Sequence, residues 1–194
     1  MSTKRKTNRE HVTQVAADLF WQHGYHLTTM DEVVKVSNVA KSNIYYHFKT
    51  KEELALGVLQ WRIGQFMETM ETILADETLS SVVKLSSLPT LISQENCTPH
   101  HSKGGCPFIA LHLQASEQSP MIQAVVKQFF VDLLPVITEL IHKGQKKKEI
   151  KKELHPDQTA RFILASLEGA LIMTEVTSEA RYMEDYSSMI PHLF

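Results

Sequence analysis

Six residues in the first quarter of the chain carry polar side chains that can donate or accept hydrogen bonds. They are consecutive except for one aliphatic residue, Ile44, which lies between the third and the fourth. They are Lys41, Ser42, Asn43, Tyr45, Tyr46 and His47. Asparagine can pair with two edge atoms of adenine in the major groove of DNA, and lysine can donate to guanine. This segment therefore has the side chains that a base-reading surface requires.

The sequence around these residues predicts two short helices. Thr29 and Glu32 have capping-box spacing, which indicates a helix start, and a brief break follows at residues 37–39. A second helix is predicted from about Ala40 to Phe48, with Ile44 and Phe48 facing inward at i,i+4 spacing. Two short helices joined by a few residues are typical of a helix-turn-helix, whose second helix enters the major groove.

The remaining apolar periodicity predicts further helices and no strands, so the expected fold class is all-α. Capping boxes at Thr7 and Thr50 start a first helix that ends at Gly24 and a long helix that reaches about Ala75. The other helices are expected over residues 79–92 with an interruption at Pro89, 107–115, 120–143 with Gly144 just after its end, 156–176 and 179–190. The lysine-rich segment 146–154 is interpreted as a solvated connection rather than a second nucleic-acid site.

Charge and composition divide the chain into a basic front part and an acidic remainder. Residues 1–51 hold eight Lys or Arg against four Asp or Glu, whereas the whole chain of 194 residues has a net charge of −2. We therefore expect a DNA-binding domain over 1–51 and a larger helical domain over 52–194. The absence of a long apolar run or signal peptide and the presence of only two cysteines predict a cytoplasmic protein with no membrane partner.

Residues 40–54, AKSNIYYHFKTKEEL, resemble the recognition helix and the following helix start in the TetR family of bacterial transcriptional regulators. The resemblance implies a three-helix DNA-binding head and a non-enzymatic, homodimeric regulator, expected to be a repressor. Its partners would be an inverted-repeat, double-stranded DNA operator and an effector, either a small molecule or a reactive species, that releases it. No cofactor is expected. The alternatives are a ligand-independent DNA-binding protein and a helical enzyme, and the chain lacks the common catalytic motifs of the latter.

The same resemblance assigns roles to individual residues. Tyr45 and Tyr46 would contact DNA backbone and bases, while His47 and Lys51 would contact phosphate. The hydroxyls of Thr28 and Thr29 would lie near the DNA backbone. The dimer interface is expected to be a four-helix bundle made by the helices over 120–143 and 156–176 of each protomer.

An effector pocket is implied in the larger domain, and the long helix that begins near Thr50 would link it to the head. Flexible methionine and aromatic side chains can line such adaptable cavities. The candidate effector-binding residues are Trp61, Phe66, Met70, Phe108, His112, Phe129 and Phe130.

Outside the head, Cys97, His100, His101 and Cys106 form one cluster of reactive or metal-ligating side chains. Their number would suit zinc, but the paired spacing of common zinc sites is absent, so no metal is predicted. Cys106 at a helix start could instead be a thiol sensor with Cys97 as its resolving partner. The third interpretation is that Cys106 is a small buried residue without chemical activity.

Overall fold

A computed structural model describes residues 7–94, 105–115 and 119–194, and every regular element in these ranges is a helix. The predicted all-α fold class is therefore confirmed. The described helices are α1 Asn8–His23, α2 Met30–Ser37, α3 Lys41–His47, α4 Lys51–Ala75, α5 Ser81–Ser86, α6 Leu88–Gln94, α7 Pro107–Gln114, α8 Pro120–Lys146, α9 Pro156–Thr177 and α10 Arg181–Leu193.

Both ends of α1 follow from local chemistry that the sequence predicts. The Thr7 hydroxyl accepts from the Glu10 backbone N–H, and the Glu10 carboxylate accepts from the Thr7 N–H at 2.8 Å, which completes a capping box. Gly24 ends the helix with φ of 85°, a backbone angle that glycine adopts without strain, and its N–H bonds to the Phe20 carbonyl.

The turn between α2 and α3 is short and well defined. Thr29 caps α2 by accepting from the Glu32 N–H, while the Glu32 carboxylate pairs with His23 Nδ1 at 2.9 Å rather than returning to Thr29. Asn38 ends α2 in the left-handed region with φ of 53°, which asparagine tolerates well. The His11 imidazole lies 3.0 Å from the Ser37 carbonyl and ties the end of α2 to α1.

Two predicted helix boundaries are wrong. The break in the 79–92 region lies at Ser87 rather than Pro89, because Pro89 falls in the first turn of α6, where a missing N–H costs nothing. Gly144 does not terminate α8, which continues to Lys146. Its lack of a side chain serves packing instead, since a Cβ there would lie 2.5 Å from Cδ1 of Ile150.

The chain forms two compact units. The first comprises the chain up to Gly64 with Pro107–Val126, and the second comprises Gln65–Cys106 with Lys127–Phe194. This division differs from a single boundary after residue 51, because the first unit also takes in the start of α4 and all of α7. No helix of the described ranges is long and apolar enough to cross a lipid bilayer.

Each unit has its own apolar core. In the first, Ile44 of α3 and Leu54 of α4 are fully buried, and Phe48 between these helices is also buried. In the second, Phe66, Leu85 and other side chains of α4, α5, α6, α8 and α9 are buried. Burial of these apolar surfaces supplies the main stabilising free energy of each unit.

Two glycines of the first unit provide a matched test of these backbone assignments. We expect Gly24→Ala to lower the free energy of unfolding by about 1–2 kcal/mol, because alanine is strained at a φ of 85°. Gly64→Ala should raise it by about 0.5–1 kcal/mol, because the position is helical and a Cβ there meets no atom within 4 Å. Urea denaturation followed by circular dichroism measures both, and effects of equal sign would contradict the assignment.

Candidate functional site

The second helix of the helix-turn-helix, α3, presents its polar side chains outward as the sequence predicts. Ile44 and Phe48 are buried at 0% and 3% exposure, which fixes the rotation of the helix on its core. Tyr46 is 74% exposed, Ser42 is exposed, and Asn43, Tyr45 and His47 are half-buried. The face opposite the two core residues is therefore available to a ligand as large as DNA.

Lys41, at the start of α3, is held by a neighbouring acid. Its Nζ lies 2.7 Å from Oδ1 of Asp31, and both side chains are largely exposed. The hydrogen bond and the charge of Asp31 raise the pKa of the Lys41 ammonium. Because an exposed ion pair is worth little in water, Lys41 can exchange this partner for a nucleic-acid acceptor.

Contacts with α1 and between neighbouring rings position other side chains of α3. Asn43 Oδ1 lies 3.4 Å from Nδ2 of Asn8, at the start of α1. The Tyr46 and His47 rings meet edge to face with centroids 5.0 Å apart. These contacts limit the side-chain freedom that binding would otherwise have to remove.

The two threonines expected at the DNA backbone have different environments. Thr29 is exposed at the start of α2, where its hydroxyl caps the helix. Thr28 is fully buried, and its hydroxyl lies 2.9 Å from the Gly24 carbonyl and 3.2 Å from the Leu19 carbonyl. The Thr28 hydroxyl therefore serves the turn after α1, and its burial disfavours the predicted contact of this side chain with the DNA backbone.

Lys51 also has a structural role that the sequence did not reveal. Its Nζ donates to the carbonyls of Tyr25 and His26 at 2.9 and 3.2 Å and lies 4.6 Å from the centre of the Tyr25 ring. Partial burial lowers the pKa of the Lys51 ammonium. The side chain thus ties the first turn of α4 to the segment between α1 and α2.

The same segment is held from its other side by α7. The Tyr25 N–H donates to Oε1 of Gln114 at 2.6 Å. Gly24 allows this approach, because a Cβ there would lie 3.0 Å from the same oxygen. Nothing in the local sequence signals this hydrogen bond, since the two residues are far apart in the chain.

The family comparisons agree with this geometry. Residues 12–58 match the model of bacterial regulatory proteins of the tetR family, and residues 93–190 match that of the tetracyclin repressor-like C-terminal domain. The chain belongs to the TetR family. It is therefore a DNA-binding helix-turn-helix regulator of transcription from a family of regulators rather than enzymes.

Individual relatives of this TetR-family chain are distant in sequence and similar in fold. The HTH-type transcriptional repressor DhaR of Mycobacterium sp. strain GP1 is 22% identical over 94% of this chain and 89% of its own length. A TetR regulator from Chloroflexus aurantiacus is 26% identical, with a TM-score of 0.79 over 95% of this chain and 92% of that one. Regulatory protein TetR from Rhodobacter sphaeroides superposes with a TM-score of 0.86 at 16% identity, over 97% of this chain and all of its own.

The seven candidate effector residues fall in both compact units. In the second unit, Phe129 contacts the rings of Phe66 and Phe130, with centroids 5.3 and 5.2 Å apart. Met70 is buried in the same unit, so four of the seven candidates lie in one unit. The other candidates, Trp61, Phe108 and His112, belong to the first unit.

α9 contains a buried carboxylate that the sequence does not single out as a functional residue. Glu168 is only 7% exposed, and no N–H or O–H donor among the described residues reaches its oxygens. Burial raises the pKa of Glu168 to about 7, and a weak hydrogen bond from the Cys106 thiol partly offsets this effect. The available signal was that Glu168 is the only acid between Asp157 and Glu175, in an otherwise largely apolar helix.

This environment favours the structural interpretation of Cys106. Its thiol is 2% exposed and faces the Glu168 carboxyl, and a Cβ on neighbouring Gly105 would collide with the Glu175 carboxylate. Nearby carboxylates and burial both disfavour a thiolate. Cys97, His100 and His101 lie outside the described residues. Within the described residues, no three His, Cys, Asp or Glu side chains are arranged to hold a metal ion.

Glu168 should give the protein a measurable dependence of stability on pH. Because its pKa is raised from 4.5 to about 7 on folding, folding favours the protonated carboxyl. Its stabilising contribution is complete below pH 4.5 and is lost as the pH rises through 7. Between pH 4.5 and 8, wild type should lose on the order of 3 kcal/mol more unfolding free energy than Glu168→Gln.

Urea denaturation at a series of pH values tests this expectation. Glu175→Gln is the matched control, because that side chain is exposed on the same helix and should leave the pH dependence as in wild type. Parallel curves for wild type and Glu168→Gln would show that the buried carboxyl does not titrate in this way.

Proposed function

We propose that the protein is a homodimeric TetR-type repressor that binds an inverted-repeat DNA operator and is released by an effector. The observation that carries the proposal is the outward polar face of α3, held in place by the burial of Ile44 and Phe48. One α3 helix from each protomer would enter the major groove of a half-site. The two half-sites would be spaced about 34–36 Å apart, one turn of DNA.

Within α3, different side chains would contact different parts of the DNA. Lys41, Ser42 and Asn43 lie in its first turn, from which recognition helices commonly reach base edges. Tyr45, Tyr46 and His47 follow along the helix, with Tyr46 the most exposed of them. Thr29, exposed at the start of α2, would meet phosphate.

The exposed apolar side chains of α9 and α10 support a dimer formed through these two helices. Phe162, Ile172, Met173 and Val176 of α9 and Tyr182 and Met189 of α10 are all more than a third exposed, whereas α8 exposes only Met121 and Val131 among its large apolar residues. An apolar groove of about 520 Å³ runs between α9 and α10. A second copy of the chain would bury this surface. We therefore assign the four-helix interface to α9 and α10 rather than to α8 and α9.

Release of DNA would require an effector that binds two conformations of the protein with different affinities. The ring cluster of Phe66, Phe129 and Phe130 supports an aromatic or apolar effector in the second unit. Phe66 belongs to α4, and the first turn of that helix holds Tyr25 through Lys51. A displacement of α4 would thereby reach the start of the helix-turn-helix.

Operator binding tests the assignment of Tyr46 and Lys51. After the operator has been selected from genomic DNA by the purified protein, Tyr46→Ala should weaken binding about tenfold or more because an exposed contact residue is lost. Lys51→Met should also weaken binding, but through the loosened turn at Tyr25, so the salt dependence should stay unchanged. Loss of a direct phosphate contact would instead reduce the slope of log K against log salt by about 0.9.

Fluorescence anisotropy at several salt concentrations measures both effects. Lys127→Met, an exposed lysine outside the helix-turn-helix, is the control and should bind as wild type. Unchanged operator affinity in Tyr46→Ala would show that Tyr46 does not contribute to DNA binding. A reduced slope of log K against log salt in Lys51→Met would show that Lys51 contacts phosphate directly.

Sedimentation velocity tests the dimer. The pair Phe162→Glu and Met189→Glu should convert a dimer to a monomer at micromolar concentration, because buried unpaired charges oppose association. Val131→Glu places the same charge on the exposed face of α8 and should remain dimeric. The opposite pattern would favour an interface that includes α8, and a monomeric wild type would overturn the homodimer.

A further inference from the structure

A cavity of about 340 Å³ in the second unit has both apolar and basic walls. It lies against the end of α4, the start of α5 and the last part of α8. Its apolar wall is formed by Leu74, Leu79, Pro135, Val136 and Leu140, and its basic wall by Lys84, Lys143 and Lys147. Among the described residues of its lining, Glu139 supplies the only carboxylate, so these residues carry more positive than negative charge.

Lys84 is the most buried of the three lysines, with a relative exposure of 8%. Its Nζ donates to the Leu74 carbonyl at 2.7 Å, near the end of α4. An ammonium has three donors, and no carboxylate of the described residues lies within 4 Å of Lys84. A buried cation without a close counter-ion is unfavourable, which makes this position receptive to an anion.

The two acids that interact electrostatically with Lys84 are already engaged elsewhere. Asp76 Oδ1 accepts from the N–H and the hydroxyl of Thr78 at 2.9 and 2.6 Å. Glu149 Oε2 accepts from the Ser81 N–H at 2.7 Å. These hydrogen bonds lower the pKa of both carboxyls, so both carry charge at neutral pH but neither pairs directly with Lys84.

Basic and apolar residues are separated along α8. Pro135 and Val136 lie about 12 Å along the helix axis from Lys143, and Lys147 follows one turn later. Ser81 marks the basic end, because its Cβ would lie 2.9 Å from a Cβ built on Gly144. Along α8, the cavity therefore runs from a basic end at Lys143 and Lys147 to an apolar end at Pro135 and Val136.

We propose that this cavity is a binding site for a small amphiphilic anion with a carboxylate or phosphate head. The head would lie against Lys84, Lys143 and Lys147, and the apolar part would extend along α8 toward Val136. The volume lies within the range of ligand pockets and limits the ligand to a compact molecule. The site gives a function to Lys147, which lies in the segment 146–154 that the sequence predicts only as a solvated connection.

Isothermal titration calorimetry with octanoate and octyl phosphate tests the site without DNA. Octan-1-ol has the same chain without the charge, and octyltrimethylammonium has the opposite charge. Wild type should bind at least one anion about tenfold more tightly than octan-1-ol. Comparison of the two anions distinguishes a carboxylate from a phosphate head.

Two double variants of equal charge locate the site. Lys143→Ala with Lys147→Ala should weaken anion binding about tenfold or more, because two of the three cations are lost. Lys146→Ala with Lys151→Ala removes two exposed lysines outside the cavity lining and should bind as wild type. Lys143→Gln with Lys147→Gln replaces the first pair if circular dichroism shows that the alanine variant is unfolded.

Three outcomes would overturn the proposal. Equal affinity for octan-1-ol and the anions would reveal a merely apolar cavity. Equal loss in both double variants would indicate a general effect of net charge. No binding of either anion at about 1 mM would exclude the site. None of these results bears on operator binding, so the two proposals succeed or fail separately.

Discussion

The short segment Gly24–Tyr25–His26 depends on hydrogen bonds from both sides. The Tyr25 N–H reaches Gln114 of α7, and the carbonyls of Tyr25 and His26 receive the Lys51 ammonium of α4. Thr28, buried just beyond, bonds back to the Gly24 carbonyl. Because this segment leads directly into α2, its geometry sets where the helix-turn-helix begins. Two helices distant in sequence, α4 and α7, therefore hold one turn.

Most of the fold could be predicted from the sequence because its causes are local. The caps of Thr7 and Thr29, the end of α1 at Gly24 and the burial of Ile44 and Phe48 follow from residue type and spacing. The boundaries that failed involve residues with two possible roles. A proline either interrupts a helix or opens one, and a glycine either ends a helix or permits close packing. Contacts with residues distant in the sequence decide between these roles.

The candidate site was harder to predict where side chains act over long sequence distances. The outward face of α3 was evident because it is opposite to a recognisable core stripe. The role of Lys51 was not evident from the sequence, because its partners are backbone carbonyls, which every residue has. Thr28 is similar, because its hydroxyl could serve DNA or backbone and only its burial decides. Glu168 places a carboxyl group in an apolar helix, and only the fold shows that no N–H or O–H donor of the described residues reaches it.

The ion pair between Asp31 and Lys41 has a consequence for how the head searches DNA. A lysine that approaches a nucleic acid normally releases a condensed counterion, which strengthens binding to any sequence. Lys41 already carries its own counterion in the form of Asp31, 2.7 Å away. A base acceptor must therefore compete with a tethered carboxylate rather than with mobile salt. In the proposed complex a wrong base would leave Lys41 with Asp31, so this lysine would contribute to discrimination among sequences more than to general attraction.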